Sequence, residues 1–230
     1  MSRRVAFRPS PNFDERRLPV SILVLHYTGM RDAAAALDRL CDPEAKVSAH
    51  WFIDMDGSTT QLVAEDQRAW HAGLSSWRGI TDVNSASVGI ELHNPGHEWG
   101  YRPFPARQLQ ACLELVAAIL ARHAIPPANV VGHSDIAPAR KEDPGELFDW
   151  PLLARHGLAV PTPAPLVPPP DWSEQETADS LARWGYDSSD LAAALRAFQR
   201  RFRPARIDGL ADAETRGLLA ALVATLPATA

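Results

Sequence analysis

Six prolines fall within ten residues late in the chain: Pro161, Pro163, Pro165, Pro168, Pro169 and Pro170. Each lacks an amide proton and has a fixed φ, so the run can enter neither a helix interior nor a central strand. It reads as a semi-rigid polyproline spacer over residues 157–172. The spacer divides 230 residues into a first domain, 1–156, and a smaller second one, 173–230. With 46% hydrophobic residues the chain can bury a real core. The net charge is −5 with both signs interspersed, which leaves no basic footprint for nucleic acid. Arg3 and Arg4 are followed by no apolar stretch. No signal peptide, lipobox cysteine or membrane-spanning run is visible, so a cytoplasmic protein without membrane insertion is expected.

The first domain mixes strands and helices. Residues 21–26 form a β-rich apolar run between Pro19 and Gly29 and read as a buried strand. Residues 33–41 read as a helix. Residues 49–54 and 59–63 flank Asp56-Gly57, a hairpin turn signal. That signal explains Asp54 and Asp56 better than a calcium loop, whose remaining ligands are missing. Residues 87–93 and 129–132 are further strands. Residues 106–123 are the clearest helix, with Pro105 at its start and Leu109, Leu113, Val116 and Leu120 on one face. Strands alternating with helices predict an α/β fold with helices against one sheet.

The second domain is helical. Ser173 and Glu176 form a capping box that opens a helix ending near Gly185. A second helix runs from Asp190 to Phe202 with Leu191, Leu195, Phe198 and Phe202 on one face. Asp212 caps a third. Three short helices around one small core lie near the lower size limit for independent folding. The two cysteines, Cys41 and Cys112, are too few for a disulfide framework. Cys112 falls on an apolar helix face and reads as a small hydrophobe, although a bridge between the two stays open.

Chemistry concentrates at the strand ends. His26 follows the apolar run Ile22–Leu25, and His133 follows Val130-Val131-Gly132. Asp143 comes ten residues after His133, in a loop restricted by Pro138, Pro144 and Gly145. A lone histidine after a strand is usually incidental. Two of them with one carboxylate have the ligand count of a hydrolytic zinc site with a position left for water. Lys141 stands two residues before Asp143 and can face the same cavity in an extended segment, where it would stabilise an oxyanion; the plainer reading is a surface lysine. Glu91 lies between Ile90 and Leu92 and points away from the face they bury. Facing the metal it would serve as general acid/base, and otherwise it belongs to a solvated sheet face. His93 shares that face and ranks below it. Trp51, Trp70, Trp77 and Trp99 either pack in the core or line a groove for sugar.

Four ordered motifs now resemble a known family. They are Leu25-His26-Tyr27-Thr28, Ala69-Trp70-His71-Ala72-Gly73, Ser87-Val88-Gly89-Ile90-Glu91 and the stretch from Gly132-His133 to Asp143-Pro144-Gly145. Together they are similar to the zinc-dependent N-acetylmuramoyl-L-alanine amidases of the AmiD and AmpD branch, which share a fold with peptidoglycan recognition proteins. Residues 173–225 resemble the three-helix peptidoglycan-binding domain often appended to cell-wall hydrolases. The resemblance implies a mixed central sheet flanked by helices and one Zn2+ per chain on His26, His133 and Asp143. It implies Glu91 as catalytic acid/base and Lys141 as the oxyanion stabiliser. His71 matches a groove position that contacts substrate, and His50, Trp70 and Arg140 are candidates for the same groove. The implied reaction is hydrolysis of the amide between N-acetylmuramic acid and L-alanine in peptidoglycan or 1,6-anhydro-muropeptides. A wall-binding domain fits poorly with a cytoplasmic chain, which leaves a cell-envelope location as the alternative. A recognition protein without catalysis and a zinc endopeptidase on stem peptides are the competing functions.

Overall fold

The computed structural model describes residues 5–227, so Arg3 and Arg4 lie outside the described residues. The strands are β1 (Ala6–Phe7), β2 (Phe13–Glu15), β3 (Ile22–Tyr27), β4 (Trp51–Ile53), β5 (Thr59–Gln61), β6 (Gln67–Ala69), β7 (Ser87–Leu92) and β8 (Val130–Gly132). Between them lie helices α1 (Ala33–Cys41), α2 (Val83–Ala86), α3 (Gly96–Trp99) and α4 (Ala106–His123). After β8 come α5 (His133–Ile136), α6 (Trp150–Arg155), α7 (Glu174–Trp184), α8 (Leu191–Phe202) and α9 (Ala213–Val223). The central sheet has the order β1-β5-β4-β7-β3-β8, and β2 pairs with β6 in a separate ribbon. Only the β4–β5 hairpin of the central sheet is antiparallel, and its turn is closed by Asp54 and Asp56 side chains accepting from Met55 and Ser58 amides.

The expected mixed sheet flanked by helices is what forms, and α1 and α4 cover the residues that periodicity marked. Strand alternation decides the rest. In β3, Leu23 and Leu25 face one side and pack with Val88 and Ile90 of β7, Val116 and Ile119 of α4 and Leu153 of α6. Ile22 and Val24 face the other side and join a second apolar cluster. That cluster contains Trp77, Val83, Val131 and Ile136, and it also contains Leu181, Trp184, Phe198 and Leu219 from the C-terminal helices. The three-helix unit therefore shares one continuous core with the sheet instead of closing a core of its own. The proline-rich segment is laid along that unit: Leu166 donates to the Gly217 carbonyl and Arg216 to the Pro170 carbonyl. Both cysteines are free, with Cys112 buried under α4 as a hydrophobe. Among the described residues no helix is long and apolar enough to cross a membrane.

Candidate active site

The carboxyl ends of three neighbouring parallel strands build the site, the usual place for a cleft in such a sheet. β3 lies between β7 and β8, in parallel with both. The register pairs His26 directly with Glu91, so the two side chains stand beside each other on the face opposite Leu25 and Ile90. Leu25 pairs with Gly132, which brings His133, the first residue of α5, next to His26. The chain then turns back, and the Ser134 amide donates to the Asp143 carbonyl at 2.9 Å, which draws the Asp143 loop onto α5. Gly132 lets it approach, because a Cβ there would lie 2.7 Å from Cδ of Pro144.

Three donor atoms converge. Nδ1 of His26 lies 3.0 Å from Nδ1 of His133, and each lies 3.1 Å from Oδ2 of Asp143. Metal bonds of ~2.0 Å set the edge of a coordination tetrahedron at about 3.3 Å, so the triangle is that of three ligands around one ion. Proton placement supports this. Nε2 of His133 reaches the Ala72 carbonyl at 3.2 Å and must donate to it. With Nε2 committed there, Nδ1 is the ring atom left to face His26 and the Asp143 carboxylate, where a metal cation would sit. These three residues are the group among the described residues that could hold a metal ion. Burial, helped by His133, pushes His26 down to about 4, which favours the neutral imidazole that binds metals. Burial acts to raise Asp143, but His133 and His26 outweigh it and hold the carboxyl below its ordinary range.

Glu91 completes the arrangement. Its Oε2 is sealed from solvent and has no hydrogen-bond partner. Burial, and then the nearby Asp143 charge, push its carboxyl up to about 8, while Lys141 pulls it down. A carboxyl able to hold or release a proton near neutrality is suited to acid/base work. Glu91, Lys141, Arg140, Trp70 and His71 line one cleft of about 390 Å³ with His133 and Asp143. Arg140 also fastens the cleft wall, donating to the carbonyls of Ala72 and Leu74.

Other expected residues lie elsewhere. His50 is fully buried, with Nδ1 accepting from the Gly89 amide and Nε2 against the Gln67 carbonyl. Its ring nitrogens are spent on the scaffold and it does not reach the cleft, so it is not placed to contact substrate. Trp51 is tied to Glu65, Trp77 sits in the core on Asn129, and Trp99 stacks under Arg31 outside the cleft. Of the four tryptophans, Trp70 alone lines it. His93 stacks near Phe52 and bonds Thr28. Asp135 carries no mark in the sequence that sets it apart from a loop aspartate. It is buried and accepts from the Gly132 amide at 2.7 Å, from Tyr186 at 2.7 Å and from Arg201 at 3.4 Å. Two C-terminal residues thus hold the short helix that begins with His133.

Comparison with known proteins bears on this geometry. Residues 16–146 match the family model described as N-acetylmuramoyl-L-alanine amidase. The chain belongs to the N-acetylmuramoyl-L-alanine amidase family. The amidase is 38% identical to N-acetylmuramoyl-L-alanine amidase AmiD of Escherichia coli, over 89% of this chain and 82% of that protein. It is 35% identical to 1,6-anhydro-N-acetylmuramyl-L-alanine amidase AmpD of Haemophilus influenzae, over 61% of this chain and 85% of that one. Its fold matches E. coli AmiD solved with anhydro-N-acetylmuramic acid-L-Ala-D-γ-Glu-L-Lys, with TM-score 0.79 and 35% identity over 93% of this chain and 97% of that one. It also matches AmpDh3 of Pseudomonas aeruginosa, with TM-score 0.75 and 32% identity over 96% of both chains. The chain is therefore a hydrolase of the amide between N-acetylmuramic acid and L-alanine.

Proposed function

We propose that the amidase binds one Zn2+ on His26, His133 and Asp143 and cleaves soluble 1,6-anhydro-muropeptides. The observation that carries this is the triangle of two imidazole nitrogens and one carboxylate oxygen beside an unpartnered Glu91 carboxyl. Two nitrogens and one oxygen suit zinc, and three protein ligands leave a position for water. When bound, zinc supplies a water acidified toward ~7 and polarises the substrate carbonyl. Glu91 takes the proton from the attacking water and returns it to the departing L-alanine nitrogen. Lys141, on the same cleft wall as Asp143, stabilises the negative oxygen that develops at the lactyl carbonyl. Trp70 and Arg140 form the cleft wall against which sugar and peptide lie, as an aromatic face and a guanidinium suit such a ligand. The solved AmiD complex, with an anhydro-muropeptide in a related fold, supports the substrate form. The C-terminal unit, which resembles a peptidoglycan-binding domain, braces the segments that carry His133 and Asp143 through Tyr186, Arg201 and Arg200.

The test is mass spectrometry of products from anhydro-muropeptides and, separately, from intact sacculi, each with and without a chelator. Chelator-sensitive release of a stem peptide starting at L-alanine from the soluble substrate is expected. Release from sacculi alone would reject the soluble substrate. Cleavage within the peptide would favour an endopeptidase, and no cleavage would favour a recognition protein.

A further inference from the structure

We propose that the dipeptide His71-Ala72 sets the proton positions of both metal-binding histidines, with Ser87 as the fixed end of the relay. The inference rests on the reading that His26 and His133 hold a metal, and it gives His71 a positioning role in place of a substrate contact.

The order of protons follows from which atoms can only accept. The Val83 carbonyl has no proton, so the Ser87 hydroxyl donates to it at 2.6 Å. Its proton is thereby committed, and toward Nε2 of His71, at 3.2 Å, Ser87 Oγ can only accept. His71 therefore carries its proton on Nε2, and its Nδ1 is a lone pair. That lone pair lies 3.0 Å from Nε2 of His26, which must donate. His26 is then left with a free lone pair on Nδ1, the atom that joins His133 and Asp143 in the triangle. The second half of the device is backbone. The carbonyl of Ala72 accepts from Nε2 of His133 and so leaves Nδ1 as that ring's metal-facing atom.

One short segment thus serves both rings, and it is itself anchored. Oδ1 of Asn84 accepts from the amides of His71 and Ala72 at 3.0 and 2.7 Å. Asn84 lies on α2, and Ser87 immediately follows that helix, so one turn of chain fixes both the dipeptide and the end of the relay. Gly89 leaves the space: a Cβ there would stand 2.6 Å from the His71 ring. The His71 ring is buried. Were His71 protonated on Nδ1 instead, it would donate to His26 and move the His26 proton onto the metal-facing nitrogen. Outer partners of this kind typically change metal affinity by 10–100-fold.

Two measurements on the full chain test this. Long-range proton–nitrogen spectra at neutral pH, with zinc and after chelation, report which nitrogen of each ring is protonated. Both His26 and His71 should carry the proton on Nε2, and a His71 protonated on Nδ1 would overturn the proposal. In parallel, competition with a chromophoric chelator measures zinc affinity. Ser87→Ala should weaken it by roughly 10–100-fold, and affinity equal to that of the parent chain would count against the relay. His71→Asn places an amide oxygen near the position of Nδ1 and should bind zinc more tightly than His71→Leu; equal loss in both would count against it too. If Ser87→Ala fails to fold, the spectrum of the parent chain still decides. If the parent chain binds no zinc, the metal reading fails, while the chelated spectrum continues to judge the relay.

Discussion

Replacing Glu91 by glutamine should make the metal-free enzyme more stable and the loaded enzyme far less active. Burial and Asp143 push the Glu91 carboxyl up from an ordinary 4.5 to about 8. The folded chain therefore holds a proton that the unfolded chain releases above pH 4.5. The native state is unpenalised below pH 4.5, loses stability as pH rises from there, and reaches the full penalty above about pH 8. At pH 7 the penalty approaches about 3 kcal/mol, at ~1.4 kcal/mol per pH unit. Glutamine has the same shape and no proton to hold, so Glu91→Gln recovers up to that amount. A chain of this size shifts its Tm by roughly 2–4 °C per kcal/mol, so a gain of about 6–12 °C at pH 7 is the upper bound. Thermal melts of chelated protein across pH 4 to 9 would read it, with the two proteins converging at the acid end.

The same substitution removes the proton shuttle. General acid/base groups contribute about 10²–10⁴-fold, so kcat with saturating zinc should fall by that factor. Zinc affinity should stay within a few-fold, because Glu91 is outside the ligand triangle. A Glu91→Gln protein that melts no higher than its parent at pH 7 would refute the electrostatic argument. One that turns over at the parental rate would refute the catalytic role.

Two further outcomes follow from the cleft. Lys141→Ala should lower kcat by about 10²–10³-fold while the metal stays bound, and its loss should move Glu91 further up, seen as a shifted pH–rate profile. Asp143→Asn removes the one anionic member of the triangle; metal content by atomic emission should fall sharply, and retained stoichiometric zinc would reject Asp143 as a ligand.

The positions of His26, His133 and Glu91 were legible because each sits at a fixed phase of an apolar strand, where alternation settles which side chains share a face. The match of His26 to Glu91 was not legible, since strand register between segments 60 residues apart is a tertiary property. His50 shows the opposite failure. A polar residue beside an aromatic one looks the same in sequence whether it lines a cleft or is buried with both ring nitrogens bonded. The strands β1, β2 and β6 have two or three residues each, too few to carry a period. The proline run interrupts the secondary structure between α6 and α7, but a break in secondary structure is not a break in the core. Nothing in the spacing of Leu181 or Phe198 says that they join the cluster that holds Val24.

That shared core leads to a testable dependence of the metal site on the C-terminal helices. Arg201 of α8 reaches Asp135 and lies 3.6 Å over the Trp150 ring, and its neighbour Arg200 pairs with Glu142 in the loop that carries Lys141 and Asp143. Adjacent residues of one helix therefore brace both segments that supply the metal ligands after β8. Removing a partner from a buried charge commonly costs about 3–5 kcal/mol. Asp135 keeps two other donors, Tyr186 and the Gly132 amide, so Arg201→Ala should lose about 2–3 kcal/mol, or roughly 4–12 °C in Tm. The double variant Asp135→Asn with Arg201→Ala leaves no unpaired charge and should recover much of that loss. A mere loss of packing over Trp150 would not be relieved by changing Asp135. Additive losses from Asp135→Asn and Arg201→Ala, each made alone and then together, would therefore sink the ion-pair argument, whereas a coupling above about 1 kcal/mol would tie α8 to the helix that begins with His133.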